Sequence, residues 1–195
     1  MIVGDWLGEP EEQHIELTPS IVLYHRSAIF RKETQMSNYT IRPLVDSDRE
    51  WVRQFSIDHW GDAIVVAHGQ VFEPHELPGF AAFEGEQCIG LLTYRIDGQS
   101  CEVVTINSLR AGSGVGSALI AEVVAAARAA GCTRLYLITT NDNLHALRFY
   151  QKRGFVLVAV HRNALDHSRA LKPSIPLIGF DGIPLRDEIE LEMLL

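Results

Sequence analysis

Apolar residues recur along this chain in two rhythms, and the order in which the rhythms alternate predicts its architecture. Alternating or continuous short apolar runs, the pattern of strands, occupy residues 39–44, 80–83, 88–96, 101–108, 134–139 and 155–160. Helical spacing appears in three places. Trp51, Val52 and Phe55 form a stripe reaching about His59, behind a capping box of Ser47 and Glu50 and ahead of a stop at Trp60-Gly61. Val115, Leu119, Val123 and Ala126 share one face of a helix predicted over 115–130, with Gly131 as its C-terminal cap. Residues 141–152 read as a third helix, closed by Gly154. Asp97-Gly98 is a strong hairpin signal, and Glu84-Gly85 a second turn.

Two segments carry no clear rhythm. One is punctuated by Gly69, Pro74, Pro78 and Gly79, and the other by Pro173, Pro176, Gly179 and Gly182. Residues 187–195 then alternate acid and aliphatic, like a half-exposed strand. Hairpins followed by β-α-β-α-β predict an α/β chain, an α+β mixed sheet within a single domain over 37–195. Residues 1–36 read as an N-terminal extension. Pro10, Pro19 and several acids interrupt the apolar run 21–24, and Met36-Ser37-Asn38 leads straight into the first strand. Met36 is therefore the expected natural start, or the residues before it a loosely attached addition.

Composition narrows the function classes. No apolar run approaches the roughly 18 residues of a membrane span, and the N-terminus lacks a signal-peptide layout, so no membrane partner is expected and the cytoplasm is the expected compartment. Cys88, Cys101 and Cys132 are widely spaced without a C-x-x-C pair, which predicts reduced thiols and neither a disulfide frame nor a metal site. The net charge of −8 argues against nucleic acid as a partner. Its distribution says more: residues 110–153 carry a net +4, leaving −12 elsewhere. That asymmetry suits an anionic cofactor meeting a neutral or cationic partner, although solvated helix faces with a chance bias give the same count.

The chemistry concentrates where the strand at 101–108 meets the second helix. Gly112, Gly114 and Gly116 alternate just before the helical pattern. Glycines let the backbone turn sharply beside a ligand, and the first N–H groups of a helix lack intrahelical partners, so the junction is a site for phosphate. A P-loop would end in Gly-Lys-Ser/Thr, and this loop has no lysine. A dinucleotide fingerprint would place glycine or alanine at Ser117 and would open a Rossmann unit, whereas here a hairpin precedes the loop.

Ala111-Gly112-Ser113-Gly114-Val115-Gly116 resembles the Gln/Arg-x-x-Gly-x-Gly/Ala signature of the GNAT superfamily of acyl-CoA-dependent N-acetyltransferases, with Ala111 at the Gln/Arg position and Arg110 one residue early. A second match follows the next strand. Asn143-Leu144-His145-Ala146-Leu147-Arg148-Phe149-Tyr150, then Gly154-Phe155, is similar to the family's Asn-x-x-Ala-x-x-Phe-Tyr-x-x-x-Gly-Phe motif. The resemblance covers about residues 39–160, and the 172–176 stretch looks like a tail of some bacterial members.

The resemblance implies a mostly antiparallel twisted sheet flanked by helices, with two parallel strands splayed at the coenzyme A site. It implies acetyl-CoA as co-substrate, no metal, and acetyl transfer to a primary amine of a small molecule or peptide. The pyrophosphate would lie on Arg110, Ala111, Gly112, Ser113, Gly114, Val115, Gly116 and Ser117. The thioester carbonyl would meet backbone N–H near a bulge at Val104, Thr105 and Ile106. Asn143 and Phe149 would flank the pantetheine arm. Tyr150 would give the leaving sulfur its proton; an aromatic there serves equally as core.

An alkyl amine of pKa near 10.4 is neutral in only about one molecule in 2,500 at pH 7, a cost of about 4.6 kcal/mol. A general base is therefore useful, and the resemblance points to Glu102, with an acid facing solvent as the alternative. His59, His68, His75 and Glu76 lie in the segments expected to form the acceptor pocket, which Trp60 and Phe72 would wall. The resemblance also allows a homodimer, with the C-terminal strand pairing across the interface. The competing class is an acyl-CoA-binding module that has lost catalysis. A toxin acetylating charged tRNA would need a basic acceptor face, against the acidic balance outside 110–153.

Overall fold

The computed structural model describes residues 38–195, so the expected extension over 1–36 lies outside the described residues. The chain folds as β1 (Thr40–Pro43), α1 (Arg49–Trp60), β2 (Val65–Ala67), β3 (Gln70–Phe72), β4 (Gly79–Glu84), β5 (Gln87–Asp97), β6 (Ser100–Ser108), α2 (Val115–Ala129), β7 (Arg134–Thr140), α3 (Leu144–Gln151), β8 (Val156–His161), α4 (Ala164–Leu171) and β9 (Glu188–Leu194). Seven strands form one sheet in the order β1-β4-β5-β6-β7-β9-β8, and β2 and β3 form a separate ribbon. Only β6 and β7 are parallel among the paired neighbours; the other pairs are antiparallel.

Alternation along the strands divides the core between the two sheet faces. Val115, Leu119, Ile120, Val123 and Ala127 of α2 pack on Leu92, Val103, Ile106, Leu135 and Leu137, and Ala146 and Tyr150 of α3 join the same cluster. On the opposite face Val52 and Phe55 of α1 cover Ala81 and Leu91. The β2–β3 ribbon lays Ala67 and Phe72 on Val104 and Ile138, again opposite α2.

Three expectations are corrected. The start of α1 is set by Asp48 in place of the Ser47–Glu50 box: its carboxylate accepts from the Val45 N–H at 2.8 Å and pairs with Arg42. The segments read as loops contain the β2–β3 ribbon and α4, whose three-residue strands and two-turn length are too short to show a period. The C-terminal strand is not available to a second copy, because β9 is hydrogen-bonded to β7 on one side and β8 on the other. Glu190 and Glu192 meet partners within the sheet, Arg134 and His161, and Glu188 meets the ribbon and α4. No helix among the described residues is long and apolar enough to cross a membrane.

Candidate active site

β6 ends at Ser108, and residues 109–114 cross to the first turn of α2. Gly112 and Gly114 hold φ of +72° and +84°, a left-handed backbone that side chains with a Cβ resist. Gly114 sits at the N-cap of α2 without a capping side chain, and the Val115 N–H meets Ser113 Oγ at 3.4 Å. The loop therefore presents exposed backbone at the positive end of a four-turn helix. Gly116 does something different. A Cβ there would stand 3.1–3.2 Å from the Phe149 ring, so its missing side chain is what lets α3 close against α2.

Phe149 in turn carries the guanidinium of Arg153, 3.5 Å from the ring centroid. Arg153 donates to Ser117 Oγ through Nε at 2.9 Å and through a terminal nitrogen at 2.5 Å, and to the Phe149 carbonyl at 2.7 Å. These contacts leave it beside the start of α2 with no carboxylate in ion-pair reach among the described residues. In the sequence Arg153 stands out only as charge, although it lies in the segment that closes the second motif. Arg110, by contrast, is paired with Glu84 at 2.5 Å.

The parallel ladder of β6 and β7 stops at Val103 opposite Leu137, although both strands continue. On its other edge β6 pairs Val103 with Tyr94 and Thr105 with Thr93, so Val104 is an extra residue, a bulge. The bulge and the end of the parallel pairing coincide, and beyond them a cleft opens between the strands. In the strand segments beyond that point, both amide atoms of Asn107 on β6 and Oγ1 of Thr139 on β7 are buried without hydrogen-bond partners; Oγ1 of Thr140 and Oδ1 of Asp142 are orphaned too, but they line a separate cavity past the end of β7. Buried polar atoms are nearly always satisfied in folded proteins, so each of these orphans marks a place where a ligand's polar group would fit.

Tyr150 is 1% exposed, edge-on to both Phe149 and Phe155, and burial raises its hydroxyl pKa well above the ordinary tyrosine value. It stays protonated at any physiological pH. Asn143 accepts from the Ala146 N–H at 3.0 Å through Oδ1, so its oxygen caps α3.

Glu102 is 2% exposed and firmly held. Arg95 and Tyr136 each donate to its Oε2 at 3.1 Å, and His68 Nε2 lies 3.5 Å from Oε1. It is a buried, paired acid, not one facing solvent. His68 also reaches Glu188, which is equally buried and accepts from the His68 N–H at 3.1 Å and from Ser168 at 3.2 Å. Sequence reasoning missed Glu188 because acid–aliphatic alternation reads as half exposed, whereas here the ribbon and α4 cover the acid side of the strand.

The acceptor-side expectations divide. His59 and Trp60 line a cavity of about 480 Å³ between the end of α1, the end of β7 and residues 172–185. His68 joins the Glu102 cluster. His75 and Glu76 sit away from both, at the start of α1, where Glu76 pairs with Arg49. Phe72 is core beneath Arg95. Among the described residues no group of three His, Cys, Asp or Glu side chains is placed to hold a metal ion.

Comparison with known proteins agrees with this geometry. Residues 39–155 match the sequence model of the Acetyltransferase (GNAT) family. The uncharacterized protein YdhI of Bacillus subtilis (strain 168) is 43% identical over 150 residues, covering 76% of this chain and 94% of that protein. An IAA acetyltransferase from Bacillus cereus ATCC 14579 superposes with a TM-score of 0.61 at 20% identity, over 80% of this chain and 99% of that one. A GNAT family acetyltransferase from Elizabethkingia anophelis, solved with acetyl-CoA bound, superposes with a TM-score of 0.58 at 21% identity, over 82% and 99%.

Proposed function

Because this chain belongs to the GNAT acetyltransferase family, we propose that it transfers an acetyl group from acetyl-CoA to a primary amine of a small molecule or peptide by direct attack. The observation that carries the reading is the coincidence of the Val104 bulge with the end of the β6–β7 ladder, on the strand that leads into a glycine loop opening α2. A phosphate cradle alone would bind many nucleotides. A cradle joined to a cleft that runs through the sheet fits a pyrophosphate with a long thiol arm.

The residues fit that ligand as follows. The backbone of Gly112, Ser113, Gly114, Val115 and Gly116, with the Ser117 hydroxyl and the Arg153 guanidinium, takes the pyrophosphate. Arg110 and Ala111 lie at the loop's approach. Asn143 and Phe149 stand at the α3 side of the arm. When bound, acetyl-CoA supplies the thioester that the amine attacks. Backbone N–H at Val104, Thr105 and Ile106 stabilises the charge that grows on the carbonyl oxygen as the nitrogen adds. The carbon–sulfur bond then breaks and Tyr150 Oη gives its proton to the sulfur, a role its buried, protonated state suits. Glu102, linked to His68, accepts the proton that leaves the nitrogen.

Turnover of acetyl-CoA against a panel of amines, followed by release of free thiol, tests the reading. Acetylated amine in step with thiol supports it, and thiol release without an acetylated product defeats it. One observation favours a second reading. Arg95 holds Glu102 in an ion pair at 3.1 Å, so its carboxylate already has a partner within the protein, as in a binding module that keeps the ligand and not the reaction. That reading predicts tight acetyl-CoA binding, measured by calorimetry, with no turnover on any amine.

A further inference from the structure

The cavity beside the end of β7 is apolar on nearly every side. Trp60, Val65, Val66, Ile175, Pro176 and Leu185 supply its walls, and its volume of about 480 Å³ falls in the range of small-molecule sites. Its charges are Lys172, His59 and Asp142, and they are not equivalent. Lys172 is already engaged: its amine donates to the Ile64 carbonyl at 3.0 Å and lies 3.7 Å from Asp62. The His59 ring lies tilted against Phe55, with centroids 4.2 Å apart and planes 48° from parallel.

Asp142 is different. It is 3% exposed, and no cation among the described residues is within ion-pair distance of it. One oxygen, Oδ2, accepts from the Phe180 N–H at 2.9 Å, which ties the carboxylate to the strap formed by residues 172–185. Gly179 lies so close that a Cβ there would come within 1.9 Å of the same oxygen, so the strap's backbone fixes the carboxylate's position. The other oxygen, Oδ1, is buried with no partner, and so is Oγ1 of Thr140, which lines the same cavity. A buried carboxylate lacking a cation is costly, and a ligand that brings one cation relieves that cost.

We propose that this cavity binds a small primary amine that carries a single positive charge on an apolar aliphatic or aromatic body, with Asp142 as the charge anchor and Thr140 as a second polar contact. The proposal rests on the acyltransferase reading for what happens to the amine afterwards, but binding itself does not. Polyamines and aminoglycosides are excluded by the same residues: their further charges would be buried against Trp60, Val65 and Ile175 with no carboxylate to meet them. The anchor is a specificity residue. It recognises the acceptor, and the reacting atoms are left to the groups on β6 and α3.

Calorimetry on the full chain tests this with 2-phenylethylamine, its neutral counterpart 2-phenylethanol, and spermidine, each with coenzyme A present and absent. The arylalkylamine is expected to bind about tenfold or more tighter than either of the others, and Asp142→Asn, which keeps an acceptor for the Phe180 N–H, is expected to remove that preference. A second variant guards against misfolding: Ile178→Lys, at a partly exposed position on the cavity wall, brings in a like charge and is expected to abolish amine binding while coenzyme A binding stays as in the wild type. Spermidine binding more tightly than 2-phenylethylamine, or an Asp142→Asn protein with the wild-type preference, overturns the proposal. Loss of coenzyme A binding by the wild type would instead sink the acyltransferase reading, and the amine preference would still stand or fall on its own result.

Discussion

Gly116→Ala isolates the contact that joins the glycine loop to the second motif. Gly116 is the second residue of α2, where alanine is favoured over glycine by at most the ~1 kcal/mol of a helix interior, so on helix propensity alone the change stabilises slightly. The structure opposes this, because the new methyl would lie 3.1–3.2 Å from two carbons of the Phe149 ring. That ring cannot retreat cheaply: the Arg153 guanidinium is stacked on it, 3.5 Å from its centroid, and Tyr150 packs against it edge-on. Overpacking of this kind costs about 1–3 kcal/mol. The net expectation is a loss of about 1 kcal/mol, which lowers the melting temperature by about 2–4 °C in a domain of this size.

Calorimetric melting of four proteins checks the sign: wild type, Gly116→Ala, Phe149→Leu and the double variant. In the Phe149→Leu background the ring is gone, and the same Gly116→Ala change is expected to raise stability. The coupling between the two sites is then about 1 kcal/mol or more. A Gly116→Ala protein more stable than wild type in the Phe149 background would refute the reasoning. It would mean that α2 and α3 are not in close contact at the loop, and that the two motifs do not form one site.

Arg153→Ala is expected to raise the KM for acetyl-CoA about tenfold or more with a smaller effect on kcat, because a charge-assisted contact to phosphate acts on binding; equal losses in both would argue against it. Tyr150→Phe is expected to lower kcat about a hundredfold with coenzyme A affinity unchanged, and unaltered turnover would remove Tyr150 from the mechanism. Asp48 supplies a pH test. The Arg42 guanidinium, with smaller help from Trp51 and the Val45 N–H, holds its carboxyl well below the usual range. A depressed folded-state pKa stabilises the fold above the unfolded value of about 3.9 and loses that contribution as pH falls below it. Unfolding free energy measured from pH 6 down to pH 2 is expected to fall, less steeply in Asp48→Asn than in wild type.

The residues that announced themselves in the sequence act through their own backbone or immediate neighbours. Gly112 and Gly114 need left-handed φ, the α2 stripe needs one buried face, and Asp97-Gly98 needs a tight turn; each demand is met within a few residues and leaves a local pattern. Glu102 was visible as a residue, and its Arg95, Tyr136 and His68 partners were not, since they come from three separate elements. Arg153 was counted as charge, and only the packing of α3 on α2 brought it to Ser117. Glu188 looked half exposed until the ribbon and α4 covered it.

From the sequence alone came the fold class, the order of the longer strands and helices and the turn geometry of the glycine loop, because periodicity and positive φ are properties of consecutive residues. Tertiary structure decided the rest: the insertion of β9 between β7 and β8, the coincidence of the Val104 bulge with the end of the β6–β7 ladder, and the cavity where Asp142 meets the strap. Each of these is made by segments tens of residues apart. Their contacts depend on burial and on which polar atoms are left unpaired, and no run of neighbouring residues records that.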